Sequence, residues 1–322
     1  LRKGLELILA GKAVSSQLAS IIGFVDGLVP EERVFQEGIA FFDTAKGKHK
    51  RPPTKTKGLL NVLLEKTSIG RTLIISQSKK FILQTTKGFY PAPLAALEVV
   101  CRNYAASLSS ALENEARAFG ELVVGAVSKN LIKVFYLTEK YKKKKWTEAA
   151  PKAIHACGIV GAGVMGGGIA QLISLHKIGV RIKDLNFAAL AGALKTAKKL
   201  FDYSIKKRRM KKHDVQFAMG LISPTLTYAG FSRLDVVIEA VVENMKVKKS
   251  VFAELSKSVK PDAILASNTS ALSIDQMSDD AKEPSRVVGM HFFNPVHKMP
   301  LIEVIRGARS SDTAVSTIVE FS

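Results

Sequence analysis

The feature that most restricts the fold is a glycine-rich stretch, "GIVGAGVMGGGIAQLISLHKIGVRIKDLN", which begins at Gly158. It contains the spacing Gly161-x-Gly163-x-x-Gly166 directly after a short apolar run. A helical pattern of apolar residues follows, and a second β-like run then ends at Asp184. A strand, a glycine turn, a helix and a second strand in this order predict a βαβ unit that binds a dinucleotide.

Each residue of this pattern has a physical reason. Gly161 permits the tight turn, Gly163 lets a pyrophosphate reach the backbone, and Gly166 lets the helix pack closely on the strand. The free N–H groups at the start of the helix favour phosphate. Asp184 would accept hydrogen bonds from ribose hydroxyls and repel a 2′-phosphate, which favours NAD over NADP. A glycine-rich turn without a ligand is the alternative interpretation.

From Ile154 onward, short β-rich runs alternate with helical patterns. The runs are "HACGIVGAG", "GVRIKD", "LDVVIEAVVE", "DAILASN", "RVVGMHF" and "LIEVI". Strands that alternate with helices predict an α/β fold of the Rossmann type, with a doubly wound parallel sheet.

The chain before Ile154 is predicted to be mostly helical. Residues 1–45 show apolar residues at helical spacing, with Ser15–Ser16 as a start signal, Gly23 near the end and Pro30 as a stop. A polar, basic stretch at Thr44–Gly58 has the composition of a linker, and a break at Thr86–Pro93 interrupts later helical patterns. A second boundary falls at "KYKKKKWTEAAPK". These patterns divide the chain into residues 1–45, 46–150 and 151–322.

A histidine and a glutamate in "HFFNPVHKMPLIEV" form a candidate catalytic pair. His291 and Glu303 meet if the proline-containing segment between them turns back on itself. Histidine titrates closest to neutral pH, and a carboxylate on one ring nitrogen makes the other a better base. Together with a dinucleotide loop, the pair predicts proton transfer coupled to hydride transfer. A histidine with a purely structural role is the alternative.

Polar residues follow two other predicted strands, where open α/β sheets bind ligands. "LASNTSAL" places Asn268, Thr269 and Ser270 at such a point, and "EAVVENMKVKK" places Glu243 and Lys248 at another. The alternatives are an N-cap, at Ser270 or Ser273, and a charged helix start.

Composition limits the other possibilities. The net charge of +20 is concentrated partly in the runs Lys140–Trp146 and Lys206–His213. Such runs suit nucleic acid, a solvated face or a phosphate-bearing substrate. Two distant cysteines, Cys101 and Cys157, indicate a reducing compartment and core positions, and no spacing suggests a metal site. No apolar run reaches the roughly 18 residues of a transmembrane helix, and no signal peptide is recognisable.

Four motifs taken together resemble the NAD-binding domain of 3-hydroxyacyl-CoA dehydrogenases: "GAGVMGGGIAQ", "VVIEAVVENMKVK", "LASNTSAL" and "GMHFFNPVHKMPLIEVIRG". Upstream, "LELILAGKAVSSQLASIIGFVDGLVP" is similar to the last helices of an enoyl-CoA hydratase domain. "KGFYPAPLAALEVV" and "ENEARAFGELV" are similar to the connecting segment of multifunctional fatty-acid oxidation enzymes, the alpha subunits of bacterial β-oxidation complexes.

The resemblance implies site roles by position. His291 matches the catalytic base, Glu303 its partner, Ser270 a serine between cofactor and substrate, and Asn294 a position near the nicotinamide. Further cofactor-binding positions match Met165, Asp184, Val241, Val242, Glu243 and Lys248. The implied reaction oxidises (3S)-3-hydroxyacyl-CoA to 3-oxoacyl-CoA with NAD, with an acyl-CoA substrate and a thiolase beta subunit as partner.

The resemblance also implies that the hydratase's catalytic glutamates would precede residue 1 and that a helical domain would follow Ser322. Glu139 stands where related enzymes often carry Asp. We therefore expect a fragment that binds NAD but turns over poorly. A bacterial cytoplasmic location is expected rather than a mitochondrial matrix. The alternatives are another NAD-dependent hydroxyacid dehydrogenase and a basic nucleic-acid-binding protein, although no nucleic acid partner is expected.

Overall fold

The structure is a computed structural model that describes residues 2–11, 14–45, 67–207 and 209–322. The chain divides into two compact units, Leu1–Lys143 and Lys144–Ser322. Most of the predicted linker Thr44–Gly58 lies outside the described residues, as does one arginine of the run Lys206–His213.

The first unit is helical. The helices among its described residues are α1 (Arg2–Ala10), α2 (Ser16–Ile21), α3 (Val34–Ala45), α4 (Ser68–Thr86), α5 (Ala92–Arg102), α6 (Leu108–Val123) and α7 (Ala126–Lys143). Ser15 caps α2 by accepting a hydrogen bond from the backbone N–H of Leu18, as the start signal predicts. Pro30 was wrongly predicted as a stop: it precedes a 3₁₀ turn that leads into α3, because proline is well suited to the beginning of a helical segment.

Two further helix predictions for this unit are confirmed. The break at Thr86–Pro93 separates α4 from α5, and the helical patterns that it interrupts form these two helices. The buried core of the unit is small and consists of Leu5, Ile74, Ile82 and Leu97. Cys101 is half-buried and packs against it.

The second unit is a seven-stranded sheet flanked by helices. Its strands are β1 (Ala156–Val160), β2 (Gly179–Lys183), β3 (Ile222–Thr225), β4 (Val236–Glu239), β5 (Ile264–Ser267), β6 (Val287–Phe292) and β7 (Ile302–Ile305). Its helices are α8 (Val164–Leu175), α9 (Phe187–Lys206), α10 (Lys212–Gly220), α11 (Met245–Ser258), α12 (Ile274–Ser278) and α13 (Asp312–Phe321).

The strand order is β3-β2-β1-β4-β5-β6-β7. All neighbours are parallel except β6 and β7. This confirms the predicted Rossmann-type fold, whose ligands bind beyond the carboxyl ends of the strands, where the strand order reverses between β1 and β4.

Two details of the sheet differ from the pattern of β-rich runs. Strand β3, "ISPT", has no β-rich run because it is short and contains Pro224, which an edge strand tolerates. Strand β7 is antiparallel because it returns directly from β6 through a short loop, whereas a parallel connection needs a longer crossover.

The two faces of the sheet bury separate apolar clusters. Helix α8 packs on one face through Ile169 and Ile173, and α11 packs on the other through Phe252 and Leu255. The central strands β4 and β5 are buried along their whole length, which explains their continuous apolar runs. Cys157 lies in β1 with no exposed surface, as predicted for a core residue, and its burial raises the pKa of the thiol.

Candidate active site at the carboxyl edge of the sheet

Two glycines of the loop between β1 and α8 are required by the protein's own backbone. Gly161 has a φ of 106°, and a Cβ there would lie 2.5 Å from the carbonyl oxygen of Ala240. A Cβ on Gly166 would overlap the carbonyl oxygen of Gly161. The loop that follows β4 therefore packs directly on the glycine turn, which only a residue without a side chain allows.

Gly163 differs, because a Cβ there would meet no atom within 4 Å. Gly163 is the N-cap of α8, so the unpaired N–H groups of the first helical turn lie next to this open space. Internal packing does not require a glycine here, but the approach of a pyrophosphate to the backbone would. The loop therefore fits a dinucleotide on its own geometry.

Asp184 lies against the same loop, immediately after β2. Its Oδ2 accepts a hydrogen bond from the N–H of Ala162 at 2.7 Å, and its Oδ1 accepts one from the N–H of Leu185 at 2.6 Å. A carboxylate oxygen accepts more than one hydrogen bond, so both oxygens retain capacity for ribose hydroxyls.

Glu243 connects the loops that follow β4 and β5. Its Oε1 accepts hydrogen bonds from Thr269 Oγ1 at 2.6 Å and from the N–H of Ser270 at 3.0 Å. Partial burial opposes ionisation of Glu243, but hydrogen bonds from Thr269 and Ser270 and the charge of Lys248 outweigh it, so its pKa is lowered. The carboxylate is 41% exposed and therefore remains available at the edge of the sheet.

Lys248 lies behind Glu243 rather than at the surface. Its side chain has no exposed area, and its Nζ lies 2.8 Å from Glu239 Oε1 and 3.2 Å from Glu243 Oε2. Ser273, and not Ser270, caps the short helix α12, by accepting a hydrogen bond from the N–H of Gln276. The hydroxyl of exposed Ser270 is therefore not used as the helix cap.

His291 and Glu303 face each other across the antiparallel pair β6–β7. The strand register places them directly opposite, and His291 Nδ1 lies 2.7 Å from Glu303 Oε2. The ring of Phe293 packs against the imidazole at a centroid distance of 4.6 Å. A proton on Nδ1, donated to the carboxylate, leaves Nε2 as the basic nitrogen.

Asn268 joins this pair to the loop that contains Ser270. Its Oδ1 accepts a hydrogen bond from the N–H of Phe292 at 2.8 Å, and β5 and β6 are paired parallel neighbours. The loop after β5 is therefore fixed beside the strand that carries His291.

The remaining predicted residues lie around this edge. Met165 is half-buried against the core in the first turn of α8. Val241 is half-buried and Val242 exposed, and the N–H of Val241 donates to Glu239 Oε1 at 2.8 Å. Asn294 is exposed at the start of the loop after β6.

Sequence reasoning missed Glu239, the residue that holds Lys248. Glu239 ends β4 and has no exposed surface, and its Oε2 also accepts a hydrogen bond from Ser267 Oγ at 2.6 Å. The available signal is the single acid that interrupts the apolar run "DVVIEAV", because a carboxylate inside a buried strand requires a partner.

Two other site types find no support in the part of the chain that the structure describes. No group of three histidine, cysteine or acidic side chains there is suited to holding a metal ion. No helix in the same residues combines the length and the apolar character that a membrane crossing requires.

The comparison with known families agrees with this geometry. Residues 156–322 match the family model described as 3-hydroxyacyl-CoA dehydrogenase, NAD binding domain. The chain belongs to this family. The resemblance inferred from the four motifs is thereby confirmed, as is NAD as the cofactor of the 3-hydroxyacyl-CoA dehydrogenase domain.

Curated relatives match almost the entire chain. The fatty acid oxidation complex subunit alpha of Vibrio parahaemolyticus is 37% identical over 317 residues, which is 98% of this chain and 44% of that protein. The subunit of the same name from Vibrio cholerae is 38% identical over 316 residues, again 98% of this chain and 44% of that protein. The chain thus spans less than half the length of these relatives.

Solved structures match about half of this 3-hydroxyacyl-CoA dehydrogenase family member. The (S)-3-hydroxybutyryl-CoA dehydrogenase of Ralstonia eutropha is 36% identical with a TM-score of 0.52, over 52% of this chain and 60% of that one. The 3-hydroxybutyryl-CoA dehydrogenase of Escherichia coli K12 is 29% identical with a TM-score of 0.52, over 53% of this chain and 36% of that one.

Proposed function

We propose that the protein oxidises (3S)-3-hydroxyacyl-CoA to 3-oxoacyl-CoA with NAD, as a step of fatty-acid β-oxidation. The observation that supports this most directly is the His291–Glu303 pair, 2.7 Å apart, at the same edge of the sheet as the glycine loop. Coupling to enoyl-CoA hydration within a longer protein is supported by the resemblance of residues 1–45 to the last helices of an enoyl-CoA hydratase domain, and by relatives more than twice as long as this chain.

The cofactor site is formed by the carboxyl ends of β1, β2 and β4. The backbone at Gly163 and the first turn of α8 hold the pyrophosphate, and Asp184 accepts hydrogen bonds from the adenosine ribose. Met165, Val241 and Val242 line the same edge of the sheet, and Glu243 offers a carboxylate to the cofactor. NAD, when bound, supplies the hydride acceptor for C3 of the substrate.

His291 acts as the general base. Its Nε2 takes the proton of the C3 hydroxyl, and the electron pair left on oxygen forms the carbonyl as C3 gives up its hydride. Glu303 keeps the proton on Nδ1 and stabilises the imidazolium that forms. Ser270 orients the hydroxyl from the loop after β5, and Asn294, in the loop after β6, would hold the nicotinamide.

The test replaces His291 by glutamine in the full natural chain that carries these residues. We expect kcat for reduction of acetoacetyl-CoA by NADH to fall about 10²- to 10⁴-fold, because the proton donor of the reverse reaction is lost. The dissociation constant of NADH, measured by fluorescence titration, should stay within about twofold because His291 is not needed to hold the nucleotide.

His297 provides a matched control six residues downstream, since it is an exposed histidine in the loop after β6. His297→Gln should leave kcat and NADH affinity unchanged. A His291→Gln enzyme that keeps most of its activity, beside an unaffected His297→Gln enzyme, would remove the proposed base.

The partner and location follow from the same relatives. A complex with a thiolase beta subunit is supported by the relatives' names as alpha subunits of a complex. A bacterial cytoplasmic location is supported by their bacterial origin. Co-elution of thiolase activity with the tagged protein on gel filtration, from the cytosolic fraction, tests both. Elution without thiolase activity contradicts the partnership.

A further inference from the structure

Glu239 is a buried carboxylate whose hydrogen-bonding capacity is fully used inside the protein. Oε1 accepts from Lys248 Nζ at 2.8 Å and from the N–H of Val241 at 2.8 Å. Oε2 accepts from Lys248 Nζ at 2.9 Å and from Ser267 Oγ at 2.6 Å. One side chain thereby joins the end of β4, the end of β5 and the second turn of α11.

Lys248 continues this connection to the surface. Its ammonium lies between Glu239, with no exposed surface, and Glu243, which is half-exposed and holds Thr269 and the N–H of Ser270. The order of contacts is Glu239, Lys248, Glu243 and then the loop after β5. The network therefore extends from the centre of the sheet to the proposed site.

The charges in this network do not cancel, since two carboxylates face one ammonium. Lys248 is balanced by Glu239 at close range on both oxygens, whereas its distance to Glu243 is 3.2 Å. Without the Glu239 charge, the buried ammonium would have Glu243 as its only carboxylate partner within the described network, and would draw it inward. With Glu239 in place, Lys248 stays at the buried end of the network, and Glu243 keeps its contacts with Thr269 and Ser270.

We propose that Glu239 is a positioning residue: it holds Lys248 so that Glu243 stays fixed beside Ser270, at the proposed cofactor site. A buried ion pair contributes little net stability compared with apolar side chains of the same volume, so placement is the more effective role for it. The inference rests on the proposed function for its kinetic consequence, whereas its structural consequence can be measured without cofactor.

The test is Glu239→Gln, which preserves shape and removes the charge. In the absence of cofactor, the amide of Ser270 should exchange with deuterium about tenfold faster, because its acceptor on Glu243 is displaced. The affinity for NADH should weaken about tenfold and kcat for acetoacetyl-CoA should fall about tenfold, with KM for the thioester within about twofold.

The matched control is Asp235→Asn, at the opposite end of the same strand. Asp235 also forms a carboxylate–lysine pair, with Lys260 at 2.7 Å. Removal of the Asp235 charge should leave the deuterium exchange of the Ser270 amide, the affinity for NADH and kcat unchanged at a temperature where the variant is folded. An effect of Asp235→Asn on Ser270 exchange equal to that of Glu239→Gln would assign both pairs a general structural role and overturn the proposal.

A double variant, Glu239→Gln with Lys248→Met, decides the case in which the single variant does not fold. It removes the unbalanced buried ammonium, so the protein should fold again. Its affinity for NADH should still be about tenfold weaker than that of the wild type, because Glu243 lacks its lysine partner. Wild-type NADH affinity in either variant overturns the proposal. His291→Gln, which should lose turnover but not NADH binding, shows separately whether the proposed reaction is correct.

Discussion

The two ends of β4 each carry a carboxylate that is paired with a lysine, yet the two pairs are built differently. At the amino end, Asp235 and Lys260 are 2.7 Å apart, with 20% and 33% of their side chains exposed. At the carboxyl end, Glu239 and Lys248 are 2.8 Å apart and have no exposed surface. The amino-end pair holds the backbone, whereas the carboxyl-end pair connects to residues of the proposed site.

The amino end of the sheet is organised around backbone groups. Asp235 Oδ2 accepts hydrogen bonds from the N–H groups of His155 at 2.8 Å and Ala156 at 3.0 Å, where β1 begins. Arg286 is buried and donates through Nη1 to the carbonyl oxygens of Lys260, Pro261 and Ala263. These contacts fix the starts of four neighbouring strands, β1, β4, β5 and β6. The comparison predicts that amino-end changes reduce stability and that carboxyl-end changes reduce binding.

The largest expected effect is that of Gly163→Val at the carboxyl end. A Cβ there meets no protein atom within 4 Å, so the fold should persist with a loss of about 1 kcal/mol at most, as for an N-cap change. The side chain would instead occupy the space proposed for the pyrophosphate, and NADH affinity should fall by about 100-fold or more. Fluorescence titration and thermal unfolding measure the two quantities.

Gly192, in the middle of α9, is the matched control because a Cβ there also meets no atom within 4 Å. Gly192→Ala should raise the stability of the helix by about 0.5–1 kcal/mol and leave NADH affinity unchanged. If Gly163→Val bound NADH as tightly as the wild type, the nucleotide would have to bind elsewhere. The two ends of the sheet would then no longer differ in their effect on NADH binding.

The second largest expected effect is a loss of folding stability, caused by Asp235→Asn at the amino end of the sheet. Partial burial opposes ionisation of Asp235, but hydrogen bonds from Lys260, His155 and Ala156 outweigh it, so its pKa is lowered. A carboxyl group whose pKa is lower in the folded state stabilises the protein above its unfolded pKa, and this contribution is lost as the pH falls through the folded value. Asp235→Asn should therefore cost about 2 kcal/mol at neutral pH.

The pH dependence separates this charge effect from simple loss of shape. The difference in the free energy of unfolding between the wild type and Asp235→Asn should shrink as the pH falls below about 4, where the carboxyl group of the unfolded chain takes up a proton, and it should disappear below the lowered folded pKa. Urea unfolding at neutral and acidic pH measures it. A difference that stays constant with pH would mean that the charge of Asp235 does not contribute.

The smallest effect is expected for Asp184→Asn, again at the carboxyl end. NADH affinity should fall about tenfold, since the amide replaces one acceptor oxygen by a donor facing the ribose. The affinity for NADPH should rise relative to NADH, because the carboxylate no longer repels a 2′-phosphate. Competition titration with the two nucleotides gives the ratio. An unchanged ratio would show that Asp184 serves only the N–H of Ala162.

Much of the α/β unit follows from local patterns. The runs around Ile159, Ile182 and Ile238 predicted β1, β2 and β4, and helical periodicity predicted α8, because side-chain direction repeats at fixed local intervals. Strand β3 was missed because four residues that include Pro224 carry no such pattern. The antiparallel direction of β7 was missed because periodicity within a strand is the same in either direction.

In the candidate site, too, some features could be predicted from local sequence and others could not. The spacing of Gly161, Gly163 and Gly166 was readable because all three act on one local turn. The sequence pattern suggested that Lys248 faces the cofactor, whereas the structure places it behind Glu243. A lysine at the start of a helix gives the same local sequence pattern whether its side chain faces the cofactor or is buried behind other residues. Only the strand end beside the helix determines where the side chain lies.

The sequence alone determined the class of fold, the dinucleotide loop and the chemical types at the site, because these depend on residues close together in the chain. Only the tertiary structure decided which charges meet. Glu239 reaches Ser267, and Glu243 reaches Thr269, because β4 and β5 are neighbours in the sheet. Neighbouring strands are chosen by the packing of the whole sheet, and this choice brings together carboxylates and hydroxyls more than 20 residues apart in the chain.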